Sequence, residues 1–285
     1  MPLSALTMLT SACGSDTAQG GPDRPVVVVT YSVLGAVVGD VVGAAADVVV
    51  LMPDGIDPHE WQPSAKDIEA VSDADLVVAN GLHLEESLEG ALDEAAENGT
   101  PVFFAGDHIR VRTIGDGVED PHMWLDPLTM WDVVNALVPA LSDAGIDVAD
   151  RAATVAGNLE QLSSEIERIL APIAIERRNI VSGHESLGYF ADRYGLTLVG
   201  AVIPSASSQA EASAGELAAL REAMSAVDAD VIFTEVGTPP DVVDAIASET
   251  GARVVELGTH NLPDDGSYRT FMRDIASVFA SALGP

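Results

Sequence analysis

Four histidines carry the chemistry this chain could do: His59, His122, His184 and His260. Each falls in a loop, and three of those loops directly follow an apolar run that reads as a strand. No two share a short motif such as HExxH. Neutral imidazole is a preferred ligand for zinc and other borderline divalent ions, and four nitrogens complete a tetrahedral site. A site closed by four protein ligands leaves no position for a water nucleophile, which points to binding rather than hydrolysis. A lone loop histidine proves little; the case rests on four that recur in comparable places.

The elements that must position them alternate. Pro25 to Tyr31, with four consecutive valines, reads as a buried strand, and Ser32 to Ala45 as a helix. Asp47 to Met52 is a second strand that leads to Asp57-Pro58-His59-Glu60-Trp61-Gln62-Pro63-Ser64, whose prolines restrict the loop. Asp75 to Ala79 is the third strand, and a helix follows its loop to about Asn98. Thr100 to Ala105 is the fourth. A loop through His108, Arg110 and Arg112 then reaches Asp120-Pro121-His122-Met123-Trp124-Leu125-Asp126-Pro127, and helix follows from Leu128 to about Ala144. Asp147 to about Ile175 is one long helical pattern, with Val155, Leu159, Leu162, Ile166 and Leu170 at spacings of three, four and seven. After it the alternation resumes. Asn179 to Ser182 delivers His184, Ser213 with Glu216 forms a capping box, and Ala252 to Leu257 delivers His260. Ser267 to Leu283 is the terminal helix.

The fold expected is therefore α/β: two lobes, each a mostly parallel sheet flanked by helices, joined by one long backbone helix. The divisions are residues 26–145, 146–176 and 177–285, preceded by a leader and tether over residues 1–25. Ser-Ala-capped helices feeding strands entered by Asp73-Ala74-Asp75 and Asp228-Ala229-Asp230 make the halves echo each other.

Composition limits the partners. The 285 residues are 47% hydrophobic, enough for a large core, and carry a formal charge of −32. Nucleic-acid binding needs a basic footprint, so that class is excluded. The acidity reads as a solvated surface, with attraction of cations as the sharper alternative. A single cysteine, Cys13, rules out an intrachain disulfide and a zinc–thiolate cluster. Leu9-Thr10-Ser11-Ala12-Cys13 resembles the lipobox of bacterial lipoproteins, with Thr10 where Leu or Val is usual. Cys13 would then be the lipidated residue anchoring the chain to a membrane, and residues 14–25 a flexible tether.

These motifs together resemble the solute-binding proteins of zinc/manganese ABC importers, the cluster A-I metal-binding lipoproteins, from about Val26 to the end. The loops carrying the likeness are Pro58 to Asp67, Asn80-Gly81-Leu82-His83-Leu84-Glu85, Asp120 to Pro127, and His184-Glu185-Ser186-Leu187-Gly188-Tyr189-Phe190. The resemblance implies that His59, His122 and His184 are metal ligands. It also implies a permease partner, a monomer, and a place in the periplasm or on the outer face of the cytoplasmic membrane. His184, where manganese-preferring members usually have a carboxylate, leans toward Zn2+ over Mn2+ or Fe2+. His260 in Thr259-His260-Asn261-Leu262 departs from the family's aspartate, with Asp264 or Asp265 as the alternative ligand. Glu235 either orients a ligand imidazole or caps the next helix. Trp61 and Trp124 wall the site from water, His83 is a structural loop residue, and His108 packs in its loop. Glu185 is a neighbour of His184 rather than a ligand. The rival readings are a manganese- or iron-binding member, and a metal-dependent hydrolase using Glu185 or Glu235 as base.

Overall fold

The computed structural model describes residues 24–284. Cys13 and the lipobox-like stretch expected around it lie outside the described residues. β1 (Val26–Tyr31), β2 (Asp47–Met52), β3 (Leu76–Ala79) and β4 (Val102–Phe104) form one all-parallel sheet in the order β2-β1-β3-β4. The short hairpin β5 (Thr113–Ile114) and β6 (Val118–Glu119) stands apart from it. β7 (Asn179–His184), β8 (Thr197–Ile203), β9 (Val231–Thr234) and β10 (Arg253–Glu256) form the second parallel sheet, ordered β10-β9-β7-β8. Helices α1 (Ser32–Val42), α2 (Ala65–Ser72), α3 (Glu89–Glu97), α4 (Pro127–Asp143), α6 (Gly188–Tyr194), α7 (Ala214–Ala226), α8 (Pro240–Thr250) and α9 (Tyr268–Leu283) cover the faces, and α5 (Ala149–Leu170) runs between the two halves. The two-lobed α/β architecture is the one expected.

Strand residues alternate between cores because successive side chains point to opposite faces. Val27 and Val29 of β1 and Leu76 and Val78 of β3 enter the main core, while Val28, Val77 and Ala79 face α2 and α3. In the second sheet Ile180, Val231 and Phe233 join the main core, and Val181 and Ile232 face α7 and α8. Burial on both faces explains why the strands read as continuous apolar runs. The main core is continuous from one lobe to the other. α5 makes it so by burying Ala152, Val155, Ala156, Leu159, Leu162, Ile166 and Leu170 along one stripe. A shared core of this kind resists a wide hinge between the lobes.

Four local expectations are corrected. α5 is shorter than Asp147 to Ile175: it ends at Leu170, because Pro172 cannot donate to the carbonyl four residues back. α1 stops at Val42, before Gly43. The stretch from Arg112 to Asp120 contains the β5–β6 hairpin rather than plain loop, and the Asp120 N–H donates to the Arg112 carbonyl at 2.9 Å. His184 is the last residue of β7, not a loop residue. The Ser213–Glu216 capping box forms as read, and Ser64 with Asp67 makes a second one on α2.

Among the described residues, no helix is long and apolar enough to cross a membrane.

Candidate metal centre

The carboxyl ends of parallel strands from both sheets point into one crevice, the usual place for a ligand in open α/β sheets. β2 leads to the loop of His59, and β7 ends on His184. His122 precedes a short 3-10 turn, Met123–Leu125, which leads to α4. One ring nitrogen from each of these three residues lies within 4.8 Å of the others. His122 Nε2 is 3.4 Å from His59 Nε2 and 3.0 Å from His184 Nε2. With metal–nitrogen bonds of about 2.0–2.1 Å, a tetrahedral edge is about 3.3 Å. The trio is thus spaced as three corners of such a site. His122 and His184 are fully buried, and His59 is partly open to solvent.

A carboxylate lies against the ring of His122 and of His184, and another holds the backbone of His59. Asp120 Oδ1 lies 2.8 Å from His122 Nδ1 and also accepts the His122 backbone N–H at 3.0 Å. Asp57 Oδ1 accepts the His59 backbone N–H at 3.0 Å. Asp-Pro-His therefore occurs twice with one geometry: the aspartate folds back onto the backbone two residues on. Glu235 Oε1 stands 2.6 Å from His184 Nδ1, off the line of the ring N–H. The same oxygen accepts the His184 backbone N–H at 3.2 Å and the Ser186 hydroxyl at 2.8 Å. A buried carboxylate against Nδ1 leaves Nε2 free as a ligand atom and makes it a better donor.

Burial dominates the titration of the cluster. Desolvation, with the fields of His122 and His184, pulls His59 down to about 3. Desolvation likewise holds His122 well below an ordinary imidazole and lowers His260 to about 4. His184 goes the other way: burial is again the largest influence and lowers it, but the charge and contact of Glu235, with the charges of Asp57 and Asp120, together outweigh it. Asp120 is raised to about 6 by desolvation, against the pull of His122 and Arg112. Three of the four imidazoles are thus neutral near neutral pH, the state a metal requires.

His260 lies beside the trio without joining its 4.8 Å set. It is 3% exposed, and neither of its ring nitrogens has a hydrogen-bond partner. Its ring is 5.5 Å from that of Trp124, and its carbonyl accepts the Gly55 N–H at 2.9 Å. Asp264 and Asp265 are exposed, and Asp265 is engaged in opening α9 through Ser267 and Thr270. Trp124 is buried between His122 and His260, its Nε1 donating to the Thr259 carbonyl at 3.0 Å. Trp61 packs against the apolar cores. His83 is exposed and paired with Glu89, and His108 stacks on Phe103. Glu185 is half-buried, and its N–H donates to the Ser205 carbonyl. Sequence reasoning gave no role to Asp57, Asp120, Arg112 or Ser208. The repeated Asp-Pro-His was the signal for the two aspartates; nothing local marked Arg112 or Ser208.

Two parallel-sheet lobes meeting at clustered imidazoles define a two-lobed protein with a candidate metal centre between its sheets. The family described as "Zinc-uptake complex component A periplasmic" matches residues 27–282, and the chain belongs to it. Among its relatives, the zinc-binding protein TroA of Treponema pallidum is 29% identical over 269 residues, covering 90% of this chain and 85% of that one. The manganese-binding lipoprotein MntA of Halalkalibacterium halodurans is 26% identical over 292 residues, covering 98% and 95%. The solved structure of the Treponema pallidum zinc-binding protein superposes with a TM-score of 0.80 at 23% identity, covering 92% of this chain and all of that one; this likeness bears on the fold.

Proposed function

We propose that this chain is the extracytoplasmic, lipid-anchored receptor of a metal importer. It takes up one divalent transition metal, zinc in preference to manganese or iron, and delivers it to a membrane permease. The observation that carries this reading is the convergence of His59, His122 and His184 at nitrogen separations of 3.4 and 3.0 Å around His122. Imidazole donors suit zinc, whereas manganese favours oxygen. His260 supplies the fourth ligand by a small shift of its loop. The cost of a buried imidazole with no partner supports this, since a metal would satisfy one of its nitrogens. Glu235, already engaged by His184 and Ser186, orients a ligand rather than acting as a base.

Competitive titration of the metal-free protein with zinc and manganese tests the reading. Tight one-to-one zinc binding, with manganese far weaker, is expected, and His260→Ala should loosen zinc. Equal affinities would remove the zinc preference. A strain lacking the protein should grow poorly in chelator-treated medium and recover on added zinc; normal growth would count against an import role.

A further inference from the structure

Arg112 makes contacts on both sides of the crevice. Its Nη1 donates to Asp120 Oδ2 at 3.1 Å, on the carboxylate whose other oxygen faces His122 Nδ1. Its Nε donates to Asp192 Oδ2 at 3.0 Å, on α6 of the other lobe. Its backbone N–H donates to the Tyr189 hydroxyl at 3.0 Å, also on α6. The guanidinium lies so close over Gly188 that a Cβ at that position would overlap it. Asp120 has no exposed side-chain surface, so its oxygens cannot turn to water if this partner is lost. α6 follows directly on His184, through Glu185 to Leu187. A second arginine, Arg193 of α6, reaches back and holds Asp126 with Nε at 2.9 Å and Nη2 at 2.7 Å, at the other end of the His122 loop.

We infer that Arg112 is a positioning residue for the metal centre, and that its grip on Asp192 makes the aim of His122 depend on how α6 of the other lobe is seated. The guanidinium is a rigid fork, so its two arms cannot be set independently. Holding Asp120 Oδ2 fixes Oδ1 against Nδ1, and that fixes where Nε2 points. A movement of α6 that draws Asp192 away turns the same fork and loosens the second ligand. The arrangement gives a docking partner a route to lower metal affinity without touching the metal. The inference rests on the proposed metal site and deepens it.

The test is competitive zinc titration of wild type, Arg112→Gln, Arg112→Lys, Asp192→Asn and the Arg112→Gln/Asp192→Asn double variant. Thermal unfolding of the metal-free forms and the visible spectrum of the cobalt-loaded forms are recorded alongside. Arg112→Gln is expected to weaken zinc by about 10–100-fold, the range for partners that orient a ligand, and to change the cobalt bands. Arg112→Lys keeps the charge but not both arms, and should fall between. Asp192→Asn, at an exposed side chain, should weaken zinc by about two- to fivefold. That loss should vanish once Arg112 is already Gln, because the coupling runs through the fork. Zinc affinity and cobalt spectrum unchanged in Arg112→Gln would overturn the inference, as would an Asp192→Asn effect that is absent or persists in the double variant. If Arg112→Gln does not fold, Asp192→Asn and Arg112→Lys decide alone. Wild type that fails to bind zinc, or His122→Ala that binds as wild type, would instead sink the metal site itself.

Discussion

The Ser208 hydroxyl of the second lobe donates to Asp57 Oδ2 of the first at 2.6 Å, and the contact is buried. Asp57 Oδ1 meanwhile holds the backbone of His59. One carboxylate therefore joins the lobes and sets a ligand, and Asp120 does the same for His122 through Arg112. The site is assembled by contacts that cross the crevice rather than by either lobe alone.

Gly237 leaves the space for that carboxylate. It sits at φ 88°, and a Cβ there would overlap Asp57 Oδ2. Gly237→Ala should destabilise the protein by about 1–3 kcal/mol from backbone strain alone, with more from displacing Asp57. Thermal unfolding of the metal-free protein measures this. A melting temperature equal to wild type would show that the loop accommodates the methyl group.

Glu235→Gln keeps the shape beside His184 and removes the charge. Zinc affinity should fall by about 10–100-fold, with the fold retained. A competition titration reads the affinity, and far-ultraviolet circular dichroism the fold. Unchanged affinity would mean that the 2.6 Å contact does not tune the ligand.

Zinc capture should depend on pH near neutrality. Glu235 raises His184 above the ordinary imidazole value of 6.5, so this ring keeps its proton to higher pH than a free histidine. Metal must displace that proton, so affinity falls as pH drops through the raised value. Proton release on zinc addition, measured in buffers of different ionisation enthalpy, should be visible near neutral pH and should shrink in Glu235→Gln.

Acid should also destabilise the metal-free fold. His59 and His260 titrate at about 3 and about 4 in the folded chain, against 6.5 when unfolded. Groups with depressed values favour the folded state fully above 6.5. That advantage shrinks as pH falls through the window and is gone below the folded values. His184 opposes the trend, since its raised value stabilises the folded state below 6.5 and that contribution is lost as pH rises. For His260 the window corresponds to roughly 3 kcal/mol. Chemical unfolding between pH 7 and pH 4 should show a shallower stability loss in His260→Ala than in wild type.

Much of this was legible in the chain. Four-valine β1 and the apolar β3 announced strands buried on both faces, and the spacing of Val155, Leu159, Leu162 and Ile166 announced α5. The histidine-bearing loops stood out because three of them directly follow an apolar run and prolines flank His59. What could not be read was pairing at a distance. Arg112 finds Asp120 and Asp192, and Ser208 finds Asp57, only once the sheets place their loops together. The hairpin at 113–119 was missed because two-residue strands carry too little period to register. The end of α5 was overrun because apolar residues continue past Pro172, at Ile173 and Ile175, and mask the break.

X-ray absorption at the zinc edge of the one-to-one zinc-loaded protein tests the central claim most directly. A first shell of nitrogen at about 2.0–2.1 Å is expected, with the outer scattering of at least three imidazoles, reduced by one in His122→Ala. A shell dominated by oxygen, or imidazole scattering unchanged in His122→Ala, would contradict a site built from His59, His122 and His184.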